Sequence, residues 1–240
     1  MRILMLALAA TGLVALAYRP RRDPLAEFPR VMVWAWERPE KLDFLDPREA
    51  GVAFLARTVT VRGDIVTVRP RVQPLVVAPG IALMAVVRVE SQDPLPGARI
   101  AAEHAILDAT EAHGVRALQI DYDAKASERD FYRGMIQDLR SVLPASMPLS
   151  ITALASWCEA DDWISRLPIT EAVPMLFRMG VEPYRGGAEL RSAKCQSSAG
   201  VSTDEPLMEP PQGRRIYLFN PRSWSREDLR AALHEVRRWQ

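Results

Sequence analysis

The chain has little of most things that announce a function. Its 31 basic and 30 acidic residues leave a net charge of +1 over 240 residues, so it lacks the broad positive field that neutralises many phosphates, and nucleic acid is not expected as its partner. There are two cysteines, Cys158 and Cys195, with no Cys-x-x-Cys and no histidine at ligand spacing, which argues against a zinc site and leaves no metal or cofactor expected. Histidine numbers only three, and His104, His113 and His234 all fall on expected helices away from strand ends, where the usual general base is not wanted. No Gly-x-Gly-x-x-Gly or phosphate loop opens a helix, and no Gly-x-Ser-x-Gly elbow is present. Long apolar runs are absent apart from Ile3 to Tyr18.

That one run follows Arg2 and ends in Ala15-Leu16-Ala17, an Ala-x-Ala pattern of the signal peptidase type. At about 16 residues it is shorter than the ~20 of a usual membrane-spanning helix. Arg19-Pro20-Arg21-Arg22 directly after it opposes translocation and suits an uncleaved anchor. Residues 1–17 are therefore expected as a signal peptide or membrane anchor, 18–30 as a linker, and 31–240 as a single domain. The protein is expected to be periplasmic or secreted, with anchoring to the inner membrane as the alternative, touching the membrane only through the N-terminal segment. In an oxidising compartment the even cysteine count invites a Cys158–Cys195 disulfide, with two separate thiols as the alternative.

With 48% hydrophobic residues spread along its length, the chain can bury one large core. Val31 to Trp36, Gly51 to Val61, Ile81 to Glu90, Val115 to Asp123, Leu149 to Leu154, Ala172 to Phe177 and Arg214 to Phe219 read as strands, and Ser197 to Thr203 as a weaker one. Arg62-Gly63-Asp64 lies between two Val/Thr runs and reads as a hairpin turn into Ile65 to Val68 rather than as an adhesive tripeptide. Helices are expected over about 96–113, after a Ser127 cap, in a short piece near 161–167, and after a Ser225 cap. Some eight strands with intervening helices point to an α/β fold, a compact (β/α)8 TIM-like barrel with some helices shortened or replaced by loops. An open doubly wound sheet is the alternative, and its phosphate-binding signature is missing.

In such a barrel the working face is the carboxyl end of the strands. The strand endings that stand out there are Trp36-Glu37, Arg88 with Glu90, Asp121 with Asp123, Ser156-Trp157, and Asn220. Residues two apart on a strand share a face, so Gln119, Asp121 and Asp123 point one way and Arg88 and Glu90 share a face likewise. Three carboxylates around one guanidinium would split their pKa values, which is how one acid and one base arise. The same groups could equally form an ion-pair network that only ties strands together. Asp121, Asp123 and Glu90 are thus the catalytic candidates, and Trp36, Glu37, Arg88, Trp157 and Asn220 the substrate-binding ones. Trp36 and Trp157 are expected at the mouth, where an aromatic face stacks on a sugar ring, and Trp34 and Trp163 in the core.

The run Val115 to Leu154, with Gln119-Ile-Asp-Tyr-Asp123 ending a strand, resembles the fourth and fifth strands of chitinase-like glycoside hydrolases of family 18. That family carries Asp-x-x-Asp-x-Asp-x-Glu, whose last residue is the acid and whose preceding Asp orients the substrate. Here Leu118 takes the place of the first Asp and Lys125 that of the acid. A longer resemblance, through Val31 to Glu37, Gln119 to Ala124, Leu149 to Cys158 and Val173 to Gly180, is to a bacterial family built on domain of unknown function 3142. The resemblances imply a barrel and, from the first, a glycan as substrate or ligand. A carbohydrate-active barrel is expected, against a non-catalytic saccharide- or peptide-binding barrel or an envelope assembly protein.

Overall fold

A computed structural model describes residues 24–159, 161, 163–177, 189–205 and 212–240. The expected signal or anchor, 1–17, and the first part of the expected linker lie outside the described residues.

Eleven strands are present among the described residues: β1 (Val31–Ala35), β2 (Glu40–Leu42), β3 (Gly51–Arg62), β4 (Ile65–Pro70), β5 (Leu75–Val77), β6 (Leu83–Gln92), β7 (Val115–Asp121), β8 (Leu149–Leu154), β9 (Glu171–Met175), β10 (Ser198–Ser202) and β11 (Arg215–Phe219). Eight of them, in the order β1, β11, β10, β9, β8, β7, β6, β3, are parallel neighbours, and β1 also pairs with β3, so the sheet closes on itself. This is the expected parallel barrel. Strand β4 returns antiparallel along β3 from a turn in which Gly63 takes φ +57°, a conformation glycine adopts without steric cost. Strands β2 and β5 form a separate parallel pair.

Helices α1 (Arg99–Leu107), α2 (Arg129–Val142), α3 (Ala155–Glu159) and α4 (Arg226–Val236) follow β6, β7, β8 and β11. The helical wall is therefore incomplete: β1 and β3 are followed by the strand excursions instead. Helix α2 buries Phe131, Tyr132, Met135, Ile136 and Leu139, the spacing of one helical face. Ser225 caps α4 by accepting the Asp228 N–H at 3.0 Å, as expected. Ser127 does not cap α2; it lies in a 3-10 turn over Ala126–Glu128, and the Glu128 carboxylate accepts the Lys125 N–H at 2.8 Å. The short helix expected near 161–167 is absent among the described residues there. A turn closed by Leu167 N–H to Ile164 C=O at 3.0 Å already buries Ile164 and Leu167, and the helical piece sits earlier, at α3.

Strict alternation sorts the strand residues into two cores. Val31, Val33 and Ala35 face the helical layer, while Met32 and Trp34 face the barrel interior with Leu55, Met84, Val86, Val173, Tyr217 and Phe219. The interior is tight: a Cβ on Gly200 would lie 3.0 Å from Met175 Sδ and 3.1 Å from a Phe219 ring carbon. Trp34, fully buried there, is of a kind whose truncation to alanine costs about 3 to 5 kcal/mol.

The described part of the expected linker is no linker. Leu25 and Phe28 are buried in the interior core, in a turn closed by Phe28 N–H to Leu25 C=O at 2.9 Å. The amino end of the barrel needs an apolar floor, and these two residues supply it. Cys158 and Cys195 form the expected disulfide, Cα to Cα 5.9 Å across 37 residues, and such a loop closure stabilises by about 3 to 4 kcal/mol in the chain-entropy account. No described helix is long and apolar enough to cross a membrane.

Candidate functional site

Strands β6 and β7 pair with Arg88 and Asp121 in register, so the two sequence candidates that needed neighbouring strands have them. Asp121 is 5% exposed. Its Oδ2 accepts from Arg88 Nη1 at 3.1 Å and its Oδ1 from the Thr152 hydroxyl of β8 at 2.9 Å. Arg88 also reaches Glu90 Oε1 through Nε at 3.4 Å. Asp123, just past the end of β7, is exposed and has no hydrogen-bond or ion-pair partner among the described residues. One guanidinium thus stands among three carboxylates.

The electrostatics follow from that geometry. Burial raises the pKa of Asp121, against the pull of Arg88 and Thr152. Desolvation by the mouth walls, then the charge of Asp121, raise the Asp123 carboxyl, with Arg88 opposing; because Asp123 reaches solvent, water offsets part of the rise. Arg88 is desolvated, yet Asp121, Asp123 and Glu90 together hold its pKa up. The outcome is a fixed cation, a buried carboxyl bound on both oxygens, and a carboxyl without a partner among the described residues, with the pKa of both carboxyls raised.

The opposite face of the same strand ends holds them in place. Tyr122 points away from Asp121 and Asp123 and donates to Ser91 Oγ at 2.8 Å; Ser91 donates to Glu128 Oε1 at 2.7 Å. Burial pushes the Tyr122 hydroxyl up to about 12, so it remains a donor. This strap from β6 to the start of α2 was not expected from sequence, where only Ser127 was read as a cap.

The other candidates divide. Trp36 is partly buried at the upper edge of the interior, its ring 5.4 Å from Trp34 and 6.1 Å from Phe219, and Phe177 lies 4.9 Å from Phe219. These rings form an aromatic wall on β1, β9 and β11. Glu37 is half-buried and ion-paired with Arg69 of β4, which also reaches Thr58 at 3.3 Å. Trp157 is not at the mouth. It is 3% exposed in the helical layer, 4.9 Å from Trp163 and 6.5 Å from Tyr132, because α3 begins directly after β8 and turns it outward. Asn220 is likewise not at the mouth. Along β11, Tyr217 and Phe219 face inward, so Asn220 faces outward with Ile216 and Leu218.

A second polar cluster lies lower in the barrel. Glu171 of β9 accepts from Tyr217 and, at 3.1 Å, from Ser150; Ser150 in turn accepts from Gln119 Nε2 at 2.9 Å. Arg215 Nη1 stands 3.6 Å from Glu171 Oε2, and the same guanidinium ties the cluster to the floor, Nη2 donating to Leu25 C=O at 2.8 Å and Nε to Pro29 C=O at 3.2 Å. Burial raises the Glu171 carboxyl, with Arg215 and the hydroxyl donors opposing. Glu171 and Arg215 open their strands, so attention to strand endings passes over them. Among the described residues no group of three or more His, Cys, Asp or Glu is arranged to hold a metal ion.

Similarity to known proteins is narrow. No curated protein matches the chain. Among solved structures, the Bacillus cereus spore cortex-lytic enzyme SleL superposes with a TM-score of 0.46 at 14% identity, over 73% of this chain and 51% of that one, so the chain spans about half of the SleL chain. Between the approach to β6 and the connection after β9, residues 79–186 match the family model of a domain of unknown function, DUF3142.

Proposed function

We propose that the protein is a carbohydrate-active barrel of the glycoside-hydrolase kind, acting outside the cytoplasm on an envelope or extracellular glycan. The observation that carries this reading is the unpartnered Asp123 carboxyl beside Asp121, which Arg88 and Thr152 hold fixed at the open end of the barrel. Two neighbouring carboxyls with different surroundings suit the division of labour in glycoside hydrolysis. Asp123, whose pKa is raised, is the proton donor to the leaving oxygen. Asp121, fixed on both oxygens, orients the sugar, and Glu90 is the second carboxylate. Trp36 and the rings around it offer the apolar surface on which a sugar stacks. The Cys158–Cys195 bridge supports an oxidising location.

One observation favours a binding barrel without turnover: Lys125 stands where chitinase-like barrels carry the acid, and its ammonium is exposed, 4.0 Å from Glu128. The two readings separate by assay. Full-length protein is incubated with peptidoglycan, chitin oligomers and polyglucosamine, and reducing ends are counted beside an Asp123→Asn variant. Hydrolysis that falls by about 10²-fold or more in the variant is expected, the usual worth of a general acid. Tight binding with no release from any of the three sinks the hydrolase reading, and equal activity in Asp123→Asn removes that residue from the mechanism.

A further inference from the structure

Asn220, which faces away from the mouth, opens onto a different space. Between the carboxyl ends of β10 and β11 and the inner side of α4 lies a cavity of about 330 Å³, within the range of about 300 to 1,000 Å³ that small-molecule sites occupy. Asn220 lines it and is 2% exposed. Its Oδ1 accepts from the Arg222 backbone N–H at 3.4 Å and from the Thr203 hydroxyl at 3.2 Å. A backbone N–H can only donate, so the amide orientation is fixed and Nδ2 is the donor left over. Nδ2 is buried with no partner among the described residues, and a buried orphan donor costs about 1 to 3 kcal/mol.

The lining has two further characters. The floor is apolar, with Leu218, Val236 and Trp239, while Asp204, Glu205, Asp228 and Glu235 stand around it. Glu205 has a partner of its own, but Asp204, Asp228 and Glu235 have no ion-pair partner among the described residues; Asp204 and Asp228 only accept from the hydroxyls of Ser202 and Ser225. Among the described residues Arg222 is the single cation in the lining.

We infer that this cavity is a second ligand site, distinct from the barrel mouth, for a small amino sugar: the ammonium faces the unpaired carboxylates, a hydroxyl or ring oxygen accepts from Asn220 Nδ2, and the apolar sugar face lies on Trp239 and Val236. A neutral sugar would leave the carboxylates unmatched, and a simple aliphatic amine would leave Asn220 unmatched. The site does not depend on catalysis at the mouth.

The test is calorimetric titration of the full-length protein with glucosamine, beside N-acetylglucosamine, at low salt. Saturable glucosamine binding at least tenfold tighter than that of the acetylated sugar is expected. Ala231 is an exposed residue of α4 that lines the cavity, so Ala231→Arg places bulk and positive charge there without disturbing the core. It is expected to weaken glucosamine at least tenfold, as is Asp204→Asn, while Asp123→Asn leaves the affinity unchanged. No saturable binding overturns the inference. So does binding that survives both cavity variants, and binding lost only in Asp123→Asn would assign the sugar to the mouth instead.

Discussion

One barrel holds the same chemical kit at two heights. Near the floor, Glu171, Arg215, Tyr217 and Ser150 combine a carboxylate, a guanidinium and hydroxyls in a space closed to water. At the mouth, Asp121, Arg88 and Thr152 combine the same groups, but Asp123 and Glu90 beside them are exposed. Composition does not distinguish the two, and the lower cluster has an unmatched acceptor of its own in Glu171 Oε2; what differs is that the unpartnered carboxyl at the mouth, Asp123, reaches solvent. The lower cluster uses Glu171 to join β8, β9 and β11 and to tie them, through Arg215, to the Leu25–Pro29 floor. The upper cluster keeps one carboxyl with nothing to hold, which is what a site that takes a ligand requires.

The harshest way to break this contrast is Glu171→Ala. It leaves the Arg215 guanidinium, 8% exposed as a side chain, buried without its counter-charge, and removes the acceptor of Tyr217 and Ser150. Loss of one partner of a buried pair costs about 3 to 5 kcal/mol, and urea denaturation is expected to show a loss of that order. A cost below about 1 kcal/mol would mean the lower cluster is not the structural one.

Acidity gives the next test. The Glu171 carboxyl is raised by burial in the folded chain, so its stabilising contribution is complete below its unfolded pKa and is lost as pH rises through the folded value. Wild type should therefore lose stability relative to Glu171→Gln, whose amide does not titrate, as pH rises from 4 toward 8. The opposite trend would show that Arg215 outweighs burial and holds the group ionised.

At the mouth the same operation should do less. Arg88→Met removes the counter-charge of Asp121, but Arg88 is 36% exposed as a side chain, and Asp121 can relieve itself by taking a proton. A stability cost of about 1 to 2 kcal/mol is expected, below that of Glu171→Ala. Equal costs in the two variants would erase the distinction between the clusters.

What the sequence revealed follows the same division. Alternation along β6 and β7 was enough to put Arg88 with Glu90 and Asp121 with Asp123 on shared faces, because a strand's period is fixed and its polar residues end the run; the pairing of β6 with β7 then brings the four together. The barrel was legible from the count of apolar runs, including the weak β10. Glu171 and Arg215 were not: at the start of a strand a charged residue reads as the edge of a loop, and only barrel closure turns it inward. Asn220 and Trp157 failed for a related reason. Sequence marks where a strand ends but not on which side of the wall the next side chain falls, and one residue of register exchanges mouth for helical layer. Leu25 and Phe28 looked like linker because two large apolar residues in seven form no periodic pattern, yet a barrel floor needs no more.

The smallest effect is the most telling. Asp123 has no partner among the described residues and lies in the field of Asp121, so Asp123→Asn removes a repulsion and breaks no bond. Its stability is expected to stay within about 0.5 kcal/mol of wild type, as for surface changes away from structural features, and any shift should be a gain. Urea denaturation at neutral pH measures it. A loss above about 1 kcal/mol would make Asp123 a member of a structural network, and the mouth would then differ from the floor only in depth. A neutral result means that hydrolysis or binding lost in the same variant is lost at the site and not through unfolding, because the carboxyl that stabilises nothing is the one left available to a ligand.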